Sequence, residues 1–277
     1  MRKSWCFWWI VSVPPELCSP DTEELQKHSM LIFIEEPRIP SASSHSRYRS
    51  CDSRLTPQSV FGWKFTNVRL LADSYAKAGY MAYVPDVHQG DSLPIDFLQT
   101  VEPPLPEREA LTMAQKATST AKVGATLGPW LVKHREGVSK PLIDDFLTAV
   151  RNSAGQPKVG VIGFCWGGRY AILAAHGDLV DAAYACHPSL VSIPADFDQV
   201  KKPLSLALGT QDSLLGMKEV EQIKELMEKK QLQSEVKLYE DQVHGFALRG
   251  DWSSEKDKKA MDDAEKQGLE WFGKHLG

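Results

Sequence analysis

Residues 163–167 read Gly-Phe-Cys-Trp-Gly, so that a cysteine stands midway between two glycines. Residues 159–162 are apolar and predict a buried strand, and residues 169–176 predict a helix. A nucleophile on such a tight strand-to-helix bend has a strained backbone, and flanking glycines let the strand and the helix pass closely. The start of a helix also favours the thiolate, which is the reactive form of cysteine. The pattern therefore predicts that Cys165 is a nucleophile.

Two other interpretations of this segment are open at this point. Cys165 could be a buried structural residue in an ordinary strand–turn–helix unit, with Gly163 and Gly168 as packing glycines. A dinucleotide-binding turn would need the spacing G-x-G-x-x-G, which the segment lacks. The bend by itself does not decide between a catalytic and a structural cysteine.

An acid and a base follow along the chain, each just beyond a predicted strand. Residues 204–208 predict a strand that leads to Asp212, and the strand predicted at 236–239 leads through a short loop to His244. Taken singly, Asp212 is typical of a turn or helix cap, and His244 is typical of a surface loop. The chain order nucleophile, acid, base is that of the α/β-hydrolase fold. We therefore predict a triad of Cys165, Asp212 and His244.

The elements around these residues alternate between strands and helices. Strands are predicted at 80–84, 159–162, 181–186, 204–208 and 236–239, and helices at 67–78, 141–153, 169–176, 218–229 and 260–275. The alternation implies a mostly parallel sheet with helices on both faces, as in the α/β-hydrolase fold. Residues 91–140 are a helical or loop excursion, broken by prolines, that is expected to shape the pocket; its candidate lining residues are Leu98, Trp130 and Leu131.

Composition excludes several classes of function. The chain has 277 residues and a net charge of −4, so a nucleic-acid partner is not expected. The five cysteines are odd in number and form no C-x-x-C pair, which argues against a disulfide framework. The remaining histidines lack the spacing of metal ligands; they include His88, His134, His176 and His187. We expect no metal, no cofactor and a reducing, cytoplasmic location.

The N-terminal region differs from the rest of the chain. Arg2 and Lys3 precede an apolar run at 5–13 that loosely resembles a signal peptide, so secretion is the alternative location. The run is too short to cross a bilayer, and no membrane partner is expected. Because residues 37–59 show little periodicity, residues 1–59 are predicted to be an atypical, partly disordered segment, followed by a hydrolase domain at 60–277.

From residue 60 onward the chain resembles the dienelactone hydrolase family, and within it the fungal and yeast branch. The resemblance rests on residues 76–86 and on Phe61-Gly62-Trp63-Lys64, Gly163-Phe164-Cys165-Trp166-Gly167-Gly168, Cys186-His187-Pro188-Ser189 and Val243-His244-Gly245-Phe246. It implies a compact fold with little or no separate cap domain. The activity that it implies is hydrolysis of an ester or lactone by a Cys-His-Asp triad.

The resemblance also implies roles for individual residues. Cys165 would attack the carbonyl carbon, His244 would accept its proton and later activate water, and Asp212 would orient the imidazole. The backbone N–H groups of Trp166 and Val60 would bind the oxyanion. Substrate contacts are expected from His187, Phe246 and Trp63.

In two respects this chain lacks side chains that the family uses. Ser59 stands where the family has an acidic residue that holds the resting thiol. Gly90 and Leu248 stand where bacterial members carry two arginines that clamp a substrate carboxylate, although Arg249 is adjacent. Dienelactone itself is therefore not the expected substrate.

A third departure concerns the strand that should precede Phe61. In the family this strand is an apolar run at the centre of the sheet, whereas residues 54–59 are polar. Its loss would cost buried apolar area worth several kcal/mol, comparable with the total stability of a domain. Residues 30–34 are the candidate replacement.

The predicted function is hydrolysis of a small ester, lactone or thioester by a monomer or homodimer. The alternative is a catalytically impaired relative that binds a small molecule or a partner. A third interpretation is a redox-sensing thiol at Cys165, for which Cys186 would be the resolving cysteine.

Overall fold

Six strands form one sheet in a computed structural model that describes residues 66–93, 97, 110–152, 158–230 and 232–277, and the backbone of 31–35. The strands are β1 (Leu31–Glu35), β2 (Tyr80–Tyr83), β3 (Val159–Phe164), β4 (Ala182–Cys186), β5 (Leu204–Gly209) and β6 (Ser234–Tyr239). Their order in the sheet is β2-β1-β3-β4-β5-β6. Strands β3 to β6 run parallel, so their carboxyl ends share one edge of the sheet.

Helices cover both faces of the sheet. They are α1 (Thr66–Lys77), α2 (Met113–Lys133), α3 (Glu136–Arg151), α4 (Trp166–Ala174), α5 (Ala195–Asp198), α6 (Met217–Lys229), α7 (Phe246–Arg249) and α8 (Glu255–Leu276). Within the described ranges, none of these helices is both long and apolar enough to cross a membrane.

Two apolar cores hold these layers together, one on each face. Along β4 the side chains alternate, with Ala183 in the core formed with α3, α4 and α6, and Tyr184 in the core formed with α1 and α8. Phe146 of α3 belongs to the first core, and Tyr75 of α1 and Phe272 of α8 belong to the second. This two-faced burial confirms the predicted α/β architecture, since a parallel sheet must be covered on both sides.

Strand β1 occupies the position for which the sequence lacked an apolar strand before residue 61. It lies between β2 and β3 and is antiparallel to both, with Ile32 paired with Tyr83 on one side and with Val161 on the other. The expectation that residues 30–34 supply this strand is confirmed by the backbone of 31–35. The polar residues 54–59 lie outside the described part of the chain.

Three helices begin three or more residues earlier than predicted. Helix α3 begins at Glu136, so Pro141 lies inside the helix and not in its first turn. Helix α4 begins at Trp166, immediately after the bend, with Cys165 as its N-cap residue. Helix α8 begins at Glu255, where the Ser254 hydroxyl accepts the Asp257 N–H at 3.3 Å. A serine cap three residues before an acid was the readable signal for this last start.

Candidate active site

Cys165 stands on a sharp bend between β3 and α4. Its φ is +55°, in the left-handed region that residues other than glycine rarely adopt, and such strain costs about 1–3 kcal/mol. A Cβ on Gly163 would lie 2.0 Å from the Gly167 carbonyl oxygen, so only glycine fits there. Gly167, the other flanking glycine, has open space around its Cβ position, contrary to the prediction that both flanks must lack side chains. The second close approach is one residue later, at Gly168.

Backbone hydrogen bonds hold this bend in place. The Cys165 N–H donates to the Cys186 carbonyl at 3.2 Å, which ties the bend to the end of β4. The Cys165 carbonyl accepts the N–H groups of Gly168 and Ser189, each at 3.0 Å. The strained conformation is therefore fixed by its surroundings on both sides, as a preorganised nucleophile requires.

Asp212 and His244 form a buried pair at the carboxyl ends of β5 and β6. Asp212 Oδ2 accepts from His244 Nδ1 at 2.9 Å, and both side chains are 2% exposed. The other carboxylate oxygen accepts the N–H groups of Leu214 and Leu215 at 2.8 and 3.2 Å. Because Nδ1 donates to the carboxylate, Nε2 is the nitrogen of His244 that can accept a proton.

Charge near the sulfur changes the ionisation of both Cys165 and His244. Burial raises the pKa of the Cys165 thiol, but the His244 imidazolium, the Ser189 hydroxyl and the Arg249 guanidinium lower it, to a net pKa of about 7. Burial lowers the pKa of His244, but the Cys165 thiolate and the Asp212 carboxylate raise it to about 10. A thiolate–imidazolium pair is therefore the favoured charge state near neutral pH.

Cys186 lies in the apolar core, whereas Arg249 lies beside the candidate base. Cys186 is buried in the core beside α8, and burial raises the pKa of its thiol to about 12. Arg249 is half-buried and donates from Nη2 to the His244 carbonyl at 2.7 Å. Leu248 is buried and Gly90 is exposed. The guanidinium that does reach the site thus comes from the residue adjacent to Leu248.

Trp166 is the first residue of α4, so its backbone N–H has no acceptor within the helix. Its ring lies against Tyr170, with centroids 4.2 Å apart, and against His88 at 4.9 Å. Trp130 stands behind this cluster, 5.8 Å from the Trp166 ring, and donates from Nε1 to the Asp91 carbonyl at 2.7 Å. Val60, Trp63 and Leu98 lie outside the described residues.

His187 lies directly against the imidazole of His244, and Phe246 lies against His187. The His187 ring is 5.2 Å from the His244 ring and 5.6 Å from the Phe246 ring. His187 is 1% exposed, and burial lowers its pKa well below the usual value, so the ring is neutral. Phe246 packs on Tyr239 at 4.7 Å. His187 thus packs on the base and Phe246 packs on His187, while the contact of either side chain with substrate stays a prediction.

A cavity of about 180 Å³ opens next to the bend, lined by neighbours of the sulfur but not by Cys165 or His244 themselves. It lies between the end of α2, the start of α3, helix α4 and the loop after β4; its lining residues are Leu131, His134, Arg135, Glu136, Trp166, Arg169, Tyr170, Ser189 and Leu190. Arg169 is held by Asp196 and Glu136, each at 2.7 Å. Ser189 links the cavity to the sulfur, because its Oγ is 3.6 Å from Cys165 Sγ. Sequence reasoning assigned no role to Ser189, although the motif that contains it was visible.

The bend, the Asp–His pair and the sheet edge agree with a comparison against known protein families. The family described as "Dienelactone hydrolase family" matches residues 55–276. The chain belongs to the dienelactone hydrolase family. It is accordingly a hydrolase of carboxylic esters or lactones, on an α/β-hydrolase fold.

Curated relatives are similar over most of their length. Hydrolase pyvD of Aspergillus violaceofuscus is 24% identical over 276 residues, covering 96% of this chain and 99% of that protein. Hydrolase tropI of Talaromyces stipitatus is 25% identical, covering 78% and 79%. The carboxymethylenebutenolidase homolog of Mus musculus is 25% identical, covering 80% and 82%. The similarity to pyvD thus extends into residues 1–59.

Solved structures of dienelactone hydrolases share the fold. The crystal structure of dienelactone hydrolase from Anabaena variabilis superposes with a TM-score of 0.52 at 15% identity, covering 80% of this chain and 85% of that one. At this identity the likeness describes the fold alone.

Proposed function

We propose that this hydrolase cleaves a small ester, lactone or thioester through a triad of Cys165, His244 and Asp212. The observation that carries the proposal is the fully buried Asp212–His244 hydrogen bond of 2.9 Å beside a cysteine whose thiol pKa is about 7. Those are the two conditions for a thiolate nucleophile with an oriented base: ionisation near neutral pH, and an imidazole held in one tautomer.

The reaction proceeds in two halves. The Cys165 thiolate attacks the carbonyl carbon, a C–S bond forms, and the carbonyl electron pair moves onto oxygen. When this tetrahedral species collapses, the bond to the leaving oxygen or sulfur breaks and His244 gives that atom its proton. Water then attacks the thioester while His244 takes its proton, and the carboxylic acid leaves as the thiolate re-forms. Asp212 stays ionised and stabilises the imidazolium throughout.

The backbone N–H of Trp166 is the proposed donor to the oxyanion, because it lies at the start of α4 next to the sulfur. The second proposed donor is the N–H of Val60. Removing one such donor typically lowers the rate about 10²–10³-fold.

The cavity supports a substrate with a small acyl or leaving group. Its volume of about 180 Å³ limits the group that it can hold to a small one, and Trp166 and Ser189 in its lining place that group next to Cys165. Leu131, Trp166 and Tyr170 offer apolar contact to such a group, while Arg135 and Glu136 provide polar groups around it. A phenyl or p-nitrophenyl ester of acetic acid is therefore a suitable probe.

The proposed catalytic domain, residues 60–277, takes strand β1 from residues 31–35, which lie before its boundary. A free, ionisable thiol at Cys165 suits the reducing environment of the cytoplasm, which we propose as its location. Monomer and homodimer are the proposed assembly states.

Replacing the nucleophile tests the proposed function. Cys165→Ala is expected to lower kcat/KM for phenyl acetate at least about 10³-fold, because no other group on the bend can form the acyl intermediate. Cys186→Ala is the matched control, since it removes a buried cysteine of the core and is expected to retain activity. Mass spectrometry after treatment with an electrophilic lactone is expected to find the adduct on Cys165.

Two outcomes would contradict the triad. Equal hydrolysis by the wild type and Cys165→Ala would point to the alternative of an impaired enzyme that binds a ligand. An adduct on any residue other than Cys165 would exclude that cysteine as the nucleophile.

A further inference from the structure

The loop after β4 turns back over the bend that carries Cys165. His187 has a φ of +37° and Leu190 a φ of +60°, so two residues other than glycine adopt left-handed backbone within four positions. A Cβ on Gly168 would lie 2.9 Å from the Cα of Pro188, which shows how closely this loop rests on the first turn of α4. Two independent distortions therefore bring the loop to one place, directly above the nucleophile.

Ser189 is the residue that this loop delivers to the sulfur. Its N–H donates to the Cys165 carbonyl at 3.0 Å, and the His187 N–H donates to the Ala207 carbonyl at 2.7 Å, so the loop is fixed from both sides. The Ser189 side chain is buried, with the residue 5% exposed, and its Oγ lies 3.6 Å from Cys165 Sγ. A hydroxyl can donate a hydrogen bond to a thiolate, which has only acceptor capacity.

The sulfur lies near the His244 imidazole as well as near Ser189. In the described part of the chain, Nε2 of His244 is buried and makes no well-aligned hydrogen bond, but the imidazole is close enough to the sulfur to lower the pKa of the Cys165 thiol, and Ser189 Oγ lies 3.6 Å from the same sulfur. A buried imidazole nitrogen without a well-aligned partner favours a small rotation of the sulfur that completes its contact with His244. Among the described residues, the charged groups that act on the sulfur are His244 and Arg249. Ser189 is a neutral hydrogen-bond donor to it.

We propose that Ser189 is a positioning residue of the hydrolase, whose hydroxyl donates to the Cys165 thiolate and holds the sulfur in the resting enzyme until it turns to attack. This inference rests on the proposed function, because it presupposes Cys165 as the nucleophile. Ser189 acts through the sulfur and does not itself touch the reacting carbonyl. The bond is an equilibrium interaction, and no covalent step passes through it.

Alkylation of Cys165 by iodoacetamide as a function of pH measures this role without turnover. Ser189→Ala is expected to shift the acid limb of the alkylation rate upward by about one pH unit, which is about a tenfold slower reaction at pH 6, with equal rates above pH 9. Ser192→Ala is the matched control, since Ser192 is an exposed serine of the same loop. It is expected to follow the wild-type profile.

Two variants of equal shape separate the effect of the hydroxyl on the thiol pKa from the effect of the side chain on the packing of the loop. Ser189→Thr keeps the hydroxyl and is expected to retain the wild-type profile, whereas Ser189→Val is expected to behave like Ser189→Ala. The comparison holds even where the alanine variant fails to fold, because threonine and valine fill the same space. Coincident profiles for the threonine and valine variants would overturn the proposal.

Failure of this inference is distinguishable from failure of the proposed function. Hydrolysis of phenyl acetate that persists in Cys165→Ala would remove the triad, and this inference would fall with it. If Cys165→Ala is inactive but the pH profile of alkylation at Cys165, located by mass spectrometry, does not respond to position 189, the triad stays intact and Ser189 has no positioning role.

Discussion

At the scale of single residues, the site is a charge pair kept away from water. Asp212 fixes one nitrogen of His244, and the imidazolium in turn favours the thiolate of Cys165. These three residues could be predicted because each follows a strand in a fixed chain order, and the structure does bring Asp212 and His244 into contact. Ser189 could not, because its place over the sulfur depends on left-handed backbone at His187 and Leu190, which no local sequence pattern predicts.

The pH dependence of kcat/KM follows from this charge pair. Below a pH of about 7 the Cys165 thiol is protonated and activity is lost; above about 10 the His244 imidazolium loses the proton that the leaving group needs. We therefore expect a plateau between these two values. Hydrolysis of phenyl acetate, which does not ionise in this range, measures the profile. An acid limb near 9, the ordinary value for a thiol, would contradict the ion pair.

At the scale of elements, the bend between β3 and α4 depends on close contact between backbones. The approach is at Gly163 and Gly168, whereas Gly167 has free space. The sequence pattern therefore predicted the bend correctly but identified only part of its cause. Strand β1 shows a similar limit: a short apolar segment favours a strand, but its place between β2 and β3 and its antiparallel direction come from the partners with which it pairs.

Two glycine variants test this account of the bend. Gly163→Ala is expected to lower the free energy of unfolding by at least about 1–3 kcal/mol, because its Cβ would lie 2.0 Å from the Gly167 carbonyl oxygen and backbone must move. Gly167→Ala is the matched control and is expected to be neutral or up to about 1 kcal/mol more stable, since alanine favours the helix. Urea unfolding measures both. Equal losses in the two variants would contradict the steric explanation.

At the scale of the whole molecule, four parallel strands bring their carboxyl ends to one edge, and the residues just beyond them meet there. Cys165 follows β3, His187 follows β4, Asp212 lies beyond β5 and His244 beyond β6. The alternation of strands and helices predicts this convergence, because each right-handed crossover returns the chain to start the next strand in the same direction. The packing above the edge comes from distant segments instead. The ring of His88 packs edge-on against those of Trp130 and His134 and at a tilt against that of Trp166, and nothing in their spacing predicts that contact.

The burial of His88 in this cluster makes the stability of the whole molecule depend on pH. Burial, with a smaller effect from His134, lowers the pKa of His88 from 6.5 to about 3, so the folded protein keeps the ring neutral where the unfolded chain protonates it. Between these two values the unfolded state binds more protons, and stability therefore falls as the pH falls. The loss is about 1.4 kcal/mol per pH unit for each such histidine. His187 adds to it, whereas His244, whose pKa is raised, is protonated in both states below 6.5 and adds nothing.

Replacing His88 by phenylalanine isolates its share of this loss. His88→Phe keeps an aromatic ring beside Trp130 and Trp166 but takes up no proton on unfolding. Between pH 7.5 and pH 5 the free energy of unfolding of the variant is expected to fall by about 2 kcal/mol less than that of the wild type. Urea unfolding at the two pH values measures the difference, and the carboxylates do not interfere because they titrate below this range. Equal losses in the two proteins would mean that His88 is protonated in the folded state, and the aromatic cluster behind the cavity would then have to admit water.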